Sequence, residues 1–228
     1  NVHCVVPAES FNSNSQQEQQ HSTTAATLDL VESWSAHQMF QNPAEVWAAC
    51  FQTHQDDIVL TGGDEGQLKL WDVRVGTSRP VQILSKTFEA GVTVLSPHLH
   101  KEQYVAAGSY DETLALLDLR WISTSQPPRV VHHSDPLGGG LWRIKWHPDH
   151  DTRLLVAAMH GGCRVVDLER GNDQEETWNL HIHQEFTHHQ SMAYGADWLV
   201  HSSPCRNIQA AVSCSFYDQA MYLWNVHT

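Results

Sequence analysis

The stretch GGDEGQLKLWDVR, residues 62–74, joins a glycine-rich polar turn to alternating apolar positions that close on Trp71-Asp72. It returns as GSYDETLALLDLR from Gly108, AMHGGCRVVDLER from Ala158 and CSFYDQAMYLWNV from Cys214. The place of Trp71 recurs at Leu117, Val166 and Trp224, in steps of 46, 49 and 58 residues. Such a period fits the roughly 40–50 residues of one four-stranded propeller blade.

Each repeat has the same internal plan. In the first, EVWAACF (45–51), DIVLTGG (57–63) and QLKLWDV (67–73) alternate as strands, and VQILSKT (81–87) is the best fourth strand. The second offers GVTVLSP, QYVAAGS and TLALLDL; the third GLWRIKWHP, RLLVAAM and CRVVDLE; the fourth AYGADWL, QAAVSCS and AMYLWNV. Helical periodicity is sustained nowhere, so the expected class is all-β. Residues 12–27 are polar and Gln/Ser/Thr-rich, with too little apolar surface to offset their ordering entropy, and read as a disordered loop. The expected organisation is residues 1–11 as the end of a preceding blade, 12–27 as that loop, and 28–228 as four blades of one propeller domain.

Composition limits the function. A formal charge of −13 argues against general nucleic-acid binding, which replaces phosphate counterions with basic side chains. The same charge favours encounter with a basic partner. No run approaches the ~18 apolar residues of a membrane helix. Five cysteines, widely spaced and without a CxxC pair, fit neither a disulfide framework nor a thiolate zinc site, and suggest a reducing, cytoplasmic setting. The chain starts at Asn1 without a charged-then-apolar leader, which reads as an internal or trimmed beginning.

The units resemble WD repeats, in which a histidine between blades, a turn acid and a strand tryptophan share hydrogen bonds. His37 stands 28 residues ahead of Glu65, with Trp71-Asp72 following; Asp111 and Asp218 hold the turn-acid place, while Glu65 and His160 depart from it. His133 is the candidate partner for the third unit and His188 or His189 for the fourth; the second unit has none. The resemblance implies a WD-repeat β-propeller with four recognisable blades of a seven-bladed ring, hence missing blades and a fragment that folds poorly alone.

Particular words narrow the resemblance. SWSAHQ, VWAACF, TGGDEGQLKLWD, GSYDE, GLWRIKWHP, MHGG, YGADW and CSFYDQAMYLW occur in that order. From about Val31 to Val226 the chain resembles the C-terminal part of the diphthine methyl ester hydrolase family of WD-repeat proteins. That resemblance implies action on elongation factor 2 in diphthamide synthesis, where a histidine acquires a side chain with a trimethylammonium and a carboxyl group. The implied activity is hydrolysis of the carboxyl methyl ester by water, without a cofactor. The alternative is a non-catalytic propeller that binds a peptide or a methylated side chain.

Side chains at the upper mouth of such propellers come from the start of each first strand and from the residue before each turn acid. That rule selects Trp47, Trp142 and Tyr194 from strands and Asp64, Tyr110 and Tyr217 from turns: a ring of aromatics with one acid, as a quaternary ammonium requires. For the chemistry, His160 is the candidate general base, with Asp197 to orient its imidazole. There is no GxSxG elbow. Ser109 and Ser213 read as members of the blade hydrogen-bond sets, Trp71, Trp146 and Trp224 as packing residues, and Cys214 as a buried, inert thiol. The paired histidines at 98 and 100, 132 and 133, 181 and 183, and 188 and 189 lack zinc-enzyme spacing, so no metal is expected.

Overall fold

The computed structural model describes residues 2–7, 28–53, 55–120, 127–171, 177–199 and 210–227, and every regular element among them is a β-strand. The expected loop at 12–27 lies outside the described residues. β1 (Val2–Pro7) pairs antiparallel with β2 (Leu28–Trp34), so residues 28–34 belong to the sheet of β1 and the first blade starts later than residue 28. A short hairpin follows, β3 (Gln38–Met39) with β4 (Asn42–Pro43).

Four antiparallel meanders then succeed one another. Blade I is β5 (Val46–Gln52), β6 (Gln55–Gly63), β7 (Leu68–Asp72) and β8 (Gln82–Leu84). Blade II is β9 (Val92–Pro97), β10 (Tyr104–Ser109), β11 (Leu114–Asp118) and β12 (Arg129–His133). Blade III is β13 (Arg143–Trp146), β14 (Arg153–Ala157), β15 (Cys163–Arg170) and β16 (Trp178–Phe186). Blade IV has three described strands, β17 (Ala193–Leu199), β18 (Ala210–Ser215) and β19 (Ala220–Asn225). Sequence reading found every first, second and third strand; the fourth strands β12 and β16 escaped it because both carry polar residues on an outer, half-exposed strand.

The middle strands of blades I to III lose the alternation of a one-sided sheet because they are covered on both faces, whereas β19 keeps it. β10 and β11 are buried at every position. Three apolar clusters form the blade interfaces, the first joining Leu60 and Leu70 to Val105 and Leu117, the second Leu116 to Ile144 and Val156, the third Leu155 and Val165 to Trp198 and Trp224. Sheets come this close because backbone stands bare at the crossings. A Cβ on Gly62 would lie 2.6 Å from Val92 Cγ1, and one on Gly108 3.0 Å from Ile144 Cδ1.

Each blade is also pinned to the loop that enters it, by different chemistry at the same place. In blade I, Trp71 Nε1 donates to Thr61 Oγ1 (2.9 Å), Thr61 shares a 2.8 Å bond with His37 Nε2, and His37 Nδ1 meets Glu65 at 2.7 Å. The longer Glu65 thus does what an aspartate would. In blade IV, Trp224 Nε1 and His189 Nε2 both bond Ser213 Oγ, with Asp218 3.8 Å from His189 Nδ1. Blade II, without a histidine, uses backbone: Ser109 Oγ donates to the Ala90 carbonyl, and the Glu89 amide donates to Asp111. In blade III, Gly139 packs so tightly that an added Cβ would fall 3.0 Å from the His160 amide nitrogen. His133 is not the partner of that blade; it sits on β12 of blade II and bonds the Thr87 carbonyl, because β12 is pinned beside β11. Trp71, Trp146 and Trp224 are all buried.

The opposite ends of blades II and III are closed by imidazoles acting as acceptors. His98 Nδ1 accepts from the amides of His100 and Lys101, and His147 Nδ1 from those of Asp149 and His150. His98 also donates through Nε2 to the Asp151 carbonyl, tying the two blades. Burial, first among several causes, lowers the pKa of His37, His98, His132, His147 and His189, that of His147 to about 4.

Two outcomes follow from this arrangement. Thr61→Val keeps the shape but strands the Trp71 indole and His37 Nε2, and costs about 1–3 kcal/mol in urea denaturation. Unfolded histidines take up protons near pH 6.5 and these folded ones only at lower pH, so their share of stability is complete above 6.5 and drains as pH falls below it, for His147 down to about 4. His147→Asn, whose carbonyl can accept the same amides, shallows that slope in denaturation midpoints measured from pH 7 to 4; an unchanged slope contradicts the assignment.

Candidate functional site

The mouth is built by irregularities in the first strands. Pairing of β5 with β6 slips between Val46 and Ala48, and pairing of β17 with β18 slips between Ala193 and Gly195. Trp47 and Tyr194 are therefore the extra residues of two β-bulges, which re-aim a side chain out of the strand's alternation. Trp142 stands in the same relation to β13: its amide and the pairing of Arg143 both address Ala157. Blade II bulges too, and there the extra residue is Thr93, donating to the Gly108 carbonyl at 3.2 Å and to that of Leu141. Sequence reading missed Thr93 because it searched for aromatics; stacking the first strands on Trp47 would have found it.

The bulges bring the aromatics together. Trp47 and Trp142 meet at 5.4 Å between ring centroids and 84° between planes, Trp142 and Tyr194 at 5.5 Å and 73°, Tyr194 and Tyr217 at 6.3 Å and 49°. Four rings from three blades form one file, and Phe216 extends it beyond Tyr217 at 5.2 Å. Tyr110 lies over Gly140, where a Cβ would be 3.2 Å from its ring, and its phenol is near enough to act on that of Tyr194. Burial, then the Tyr217 hydroxyl, raise the Tyr194 phenol pKa, so that ring stays neutral at physiological pH. Faces remain open to solvent: Trp47 is 42% exposed, Tyr110 52% and Tyr217 60%. Asp64 is half-buried at the same rim, its amide bonded to the Glu45 carbonyl and its carboxyl packed beside Gly91.

His160 and Asp197 are not brought together. His160 is exposed in the turn between β14 and β15. Met159, beside it, bridges Ala193, and Asp197 is four residues further along β17, about 13 Å at the usual strand rise. The Asp197 carboxylate instead pairs with Lys145 at 3.3 Å and accepts from the Trp198 amide. The expected imidazole–carboxylate pair is corrected accordingly: β17 carries Asp197 away from the mouth. Near Asp197 a cavity of about 360 Å³ is lined by Arg143, Lys145, Cys214 and Met221 among others.

The histidine clusters are engaged elsewhere, His132 Nδ1 on the Trp178 carbonyl and His183 Nε2 on that of His227. Among the described residues no three histidine, cysteine, aspartate or glutamate side chains converge as a metal site, and no helix is long and apolar enough to cross a membrane.

Comparison with known proteins fits this fold. Residues 29–72 match the WD domain, G-beta repeat family. The chain is 35% identical over 201 residues to a Dictyostelium discoideum protein named diphthine methyltransferase homolog, covering 84% of this chain and 51% of that protein. It is 38% identical over 197 residues to the human diphthine methyltransferase, covering 85% of this chain and 39% of that protein. The chain thus spans about half, or less, of the length of these relatives. Among solved structures, Sqt1 of Saccharomyces cerevisiae aligns with a TM-score of 0.63 at 15% identity, over 80% of this chain and 46% of that one, and a chain of the mitotic checkpoint complex with 0.60 at 13%, over 90% and 55%. Identities so low speak for the fold alone.

The relatives' names correct the expected chemistry. They denote a methyltransferase, which overturns the expected enzyme class, a hydrolase releasing a methyl ester to water. The general-base role drawn for His160 belonged to that hydrolysis and goes with it. Cys214 is corrected too. It was expected to be buried, yet the alternation that buries Ser213 and Ser215 turns Cys214 to the open face of β18. Burial pushes the Cys50 and Cys163 thiols up to about 12 and about 11, beyond thiolate chemistry at neutral pH. Iodoacetamide at pH 7.5 therefore alkylates Cys214 in the folded chain before the half-buried Cys50 and well before the buried Cys163, which reacts only on unfolding. Peptide mass spectrometry reads the order, and early labelling of Cys163 contradicts it.

Proposed function

Because this chain is a WD-repeat protein similar to the diphthine methyltransferases through most of its length, we propose that it recognises the diphthine side chain of elongation factor 2 at its aromatic mouth, within the methyl-group chemistry of diphthamide synthesis. One observation carries the reading: Trp47, Trp142, Tyr194 and Tyr217 stand in an unbroken file of rings on the rim of blades I, III and IV. A trimethylammonium has no hydrogen to donate. It is held by the negative faces of aromatic rings, at about 0.5–2 kcal/mol for each.

The geometry suits such a group. Consecutive rings at 84° and 73° make corners rather than a flat stack, and a tetrahedral cation fills a corner with methyl groups against both walls. The chain's formal charge of −13 supplies the long-range attraction. The mouth's part is to bind and orient the cationic end of the side chain. The reaction class proposed is the one the relatives' names carry, and a cytoplasmic setting belongs to the same proposal.

Trp142→Ala and Tyr194→Ala each weaken binding of diphthine-bearing elongation factor 2 by about 2- to 30-fold, while Trp142→Phe and Tyr194→Phe retain most of it. Titration calorimetry measures the affinities and thermal melting controls for folding. Wild-type affinity in both alanine variants, or losses that merely track a lowered midpoint, rejects the cage.

A further inference from the structure

Beside the mouth stands an element that neither the blades nor the aromatic file employs. β3 and β4 form a finger whose neck is closed by the Ala44 amide on the His37 carbonyl. His37 is locked to Glu65 and Thr61, and the next residue after the neck, Glu45, bonds the Asp64 amide. The finger therefore rises from the same rim as Asp64 and Trp47, on a rigid base. Its two tip residues are Phe40 and Gln41, with φ of 49° and 68°.

Those angles are unusual for these residues. A two-residue hairpin loop with both φ values positive is the type I′ turn, which Asn-Gly fills without steric conflict. A bulky aromatic there works against its own Cβ, and such strain persists where the surrounding structure or a function maintains it. The strain yields no packing in the chain itself, for Phe40 is 91% exposed, the most exposed large apolar side chain described. Residue choice at this tip thus opposes both turn preference and burial.

The face around the finger has a definite charge. Glu45, Asp64, Glu89, Asp111 and Asp135 stand on the loops and turns at 37–45, 63–67, 85–91, 109–113 and 134–142, and Lys86 is the exposed lysine or arginine of those segments. An apolar tip on an acidic face fits a protein surface that offers a hydrophobic seat among basic residues.

We infer that the 38–43 finger is a docking element for the protein substrate, with Phe40 inserting into an apolar seat on a basic surface that flanks the quaternary-ammonium side chain. This rests on the reading of the mouth as the site of that side chain. The finger would give the propeller selectivity for the whole protein over the free cation, since a few rings alone hold any tetraalkylammonium.

The experiment uses the chain with Phe40→Asn and Gln41→Gly together. Titration calorimetry is run against elongation factor 2 carrying diphthine and, separately, against tetramethylammonium chloride, at 50 and 300 mM NaCl, beside thermal melts. The expected result is a midpoint at or above wild type, because the turn is relieved of strain. Affinity for tetramethylammonium stays unchanged, and affinity for the protein falls at least about tenfold, as expected for an aromatic anchor. Wild-type affinity for the protein weakens as salt rises. Unchanged protein affinity in the double variant overturns the inference, and so does a midpoint lowered by more than about 3 °C, which assigns Phe40 a seat within the chain's own fold. Protein binding insensitive to salt overturns the basic character of the partner surface. Loss of protein affinity in a chain that never binds tetramethylammonium rejects the cage while sustaining the finger, so the two readings fail separately.

Discussion

Everything in this propeller depends on the tie between each blade's turn and the loop that enters the blade. Blade I makes it with His37, Thr61, Glu65 and Trp71, and blade IV with His189, Ser213, Asp218 and Trp224. Blade II replaces the imidazole with the backbone of Glu89 and Ala90, and blade III presses bare glycine against the turn. Chemistry varies because the requirement is geometric. The loop must stay close enough that the next first strand begins beside the preceding turn. Where buried polar groups do the tying, Thr61 and Ser213 each hold both an indole and an imidazole, and stranding those groups costs more than one bond contributes.

The same ties place the mouth. Trp47 follows the His37 loop by ten residues, Tyr110 sits between Ser109 and Asp111, and Tyr217 precedes Asp218. Aromatic positions adjacent to the best-anchored points of the fold are pre-organised, so little ordering entropy remains to oppose binding. The bulges then lift Trp47 and Tyr194 out of their strands. Blade II spends its bulge on Thr93, which fastens blade II to Leu141 of the neighbouring loop instead of contributing a ring. Structure and binding compete for one position, and each blade resolves the competition differently.

Histidine is abundant here for a structural reason. A neutral imidazole accepts at one nitrogen and donates at the other, so His98 caps two amides of its own turn and still reaches the Asp151 carbonyl of the next blade. His147 repeats the cap 49 residues later, its ring 4.6 Å from Trp198. The roles require the uncharged form, which burial enforces. Of the paired histidines, His98 thus accepts backbone amides, while His132, His133 and His183 bond backbone carbonyls.

The sequence by itself determined the repeat, the strand order within each blade and the identity of the mouth aromatics, because period, alternation and turn residues are local properties carried by the chain. It also fixed which tryptophans pack, since the place of Trp71 and Trp224 is set by their distance from the turn. What it left open depends on contacts between distant segments. His188 and His189 are indistinguishable by spacing, and only the position of Ser213 across the blade chose His189. Asp197 reads as adjacent to the mouth until strand rise and Lys145 take it elsewhere. Cys214 reads as buried until the open face of β18 is known. The Phe40 tip has no signature at all, for nothing local in QMFQNP announces a type I′ turn. There the tertiary structure decided, by closing the neck between Ala44 and His37 and forcing two residues into the left-handed region.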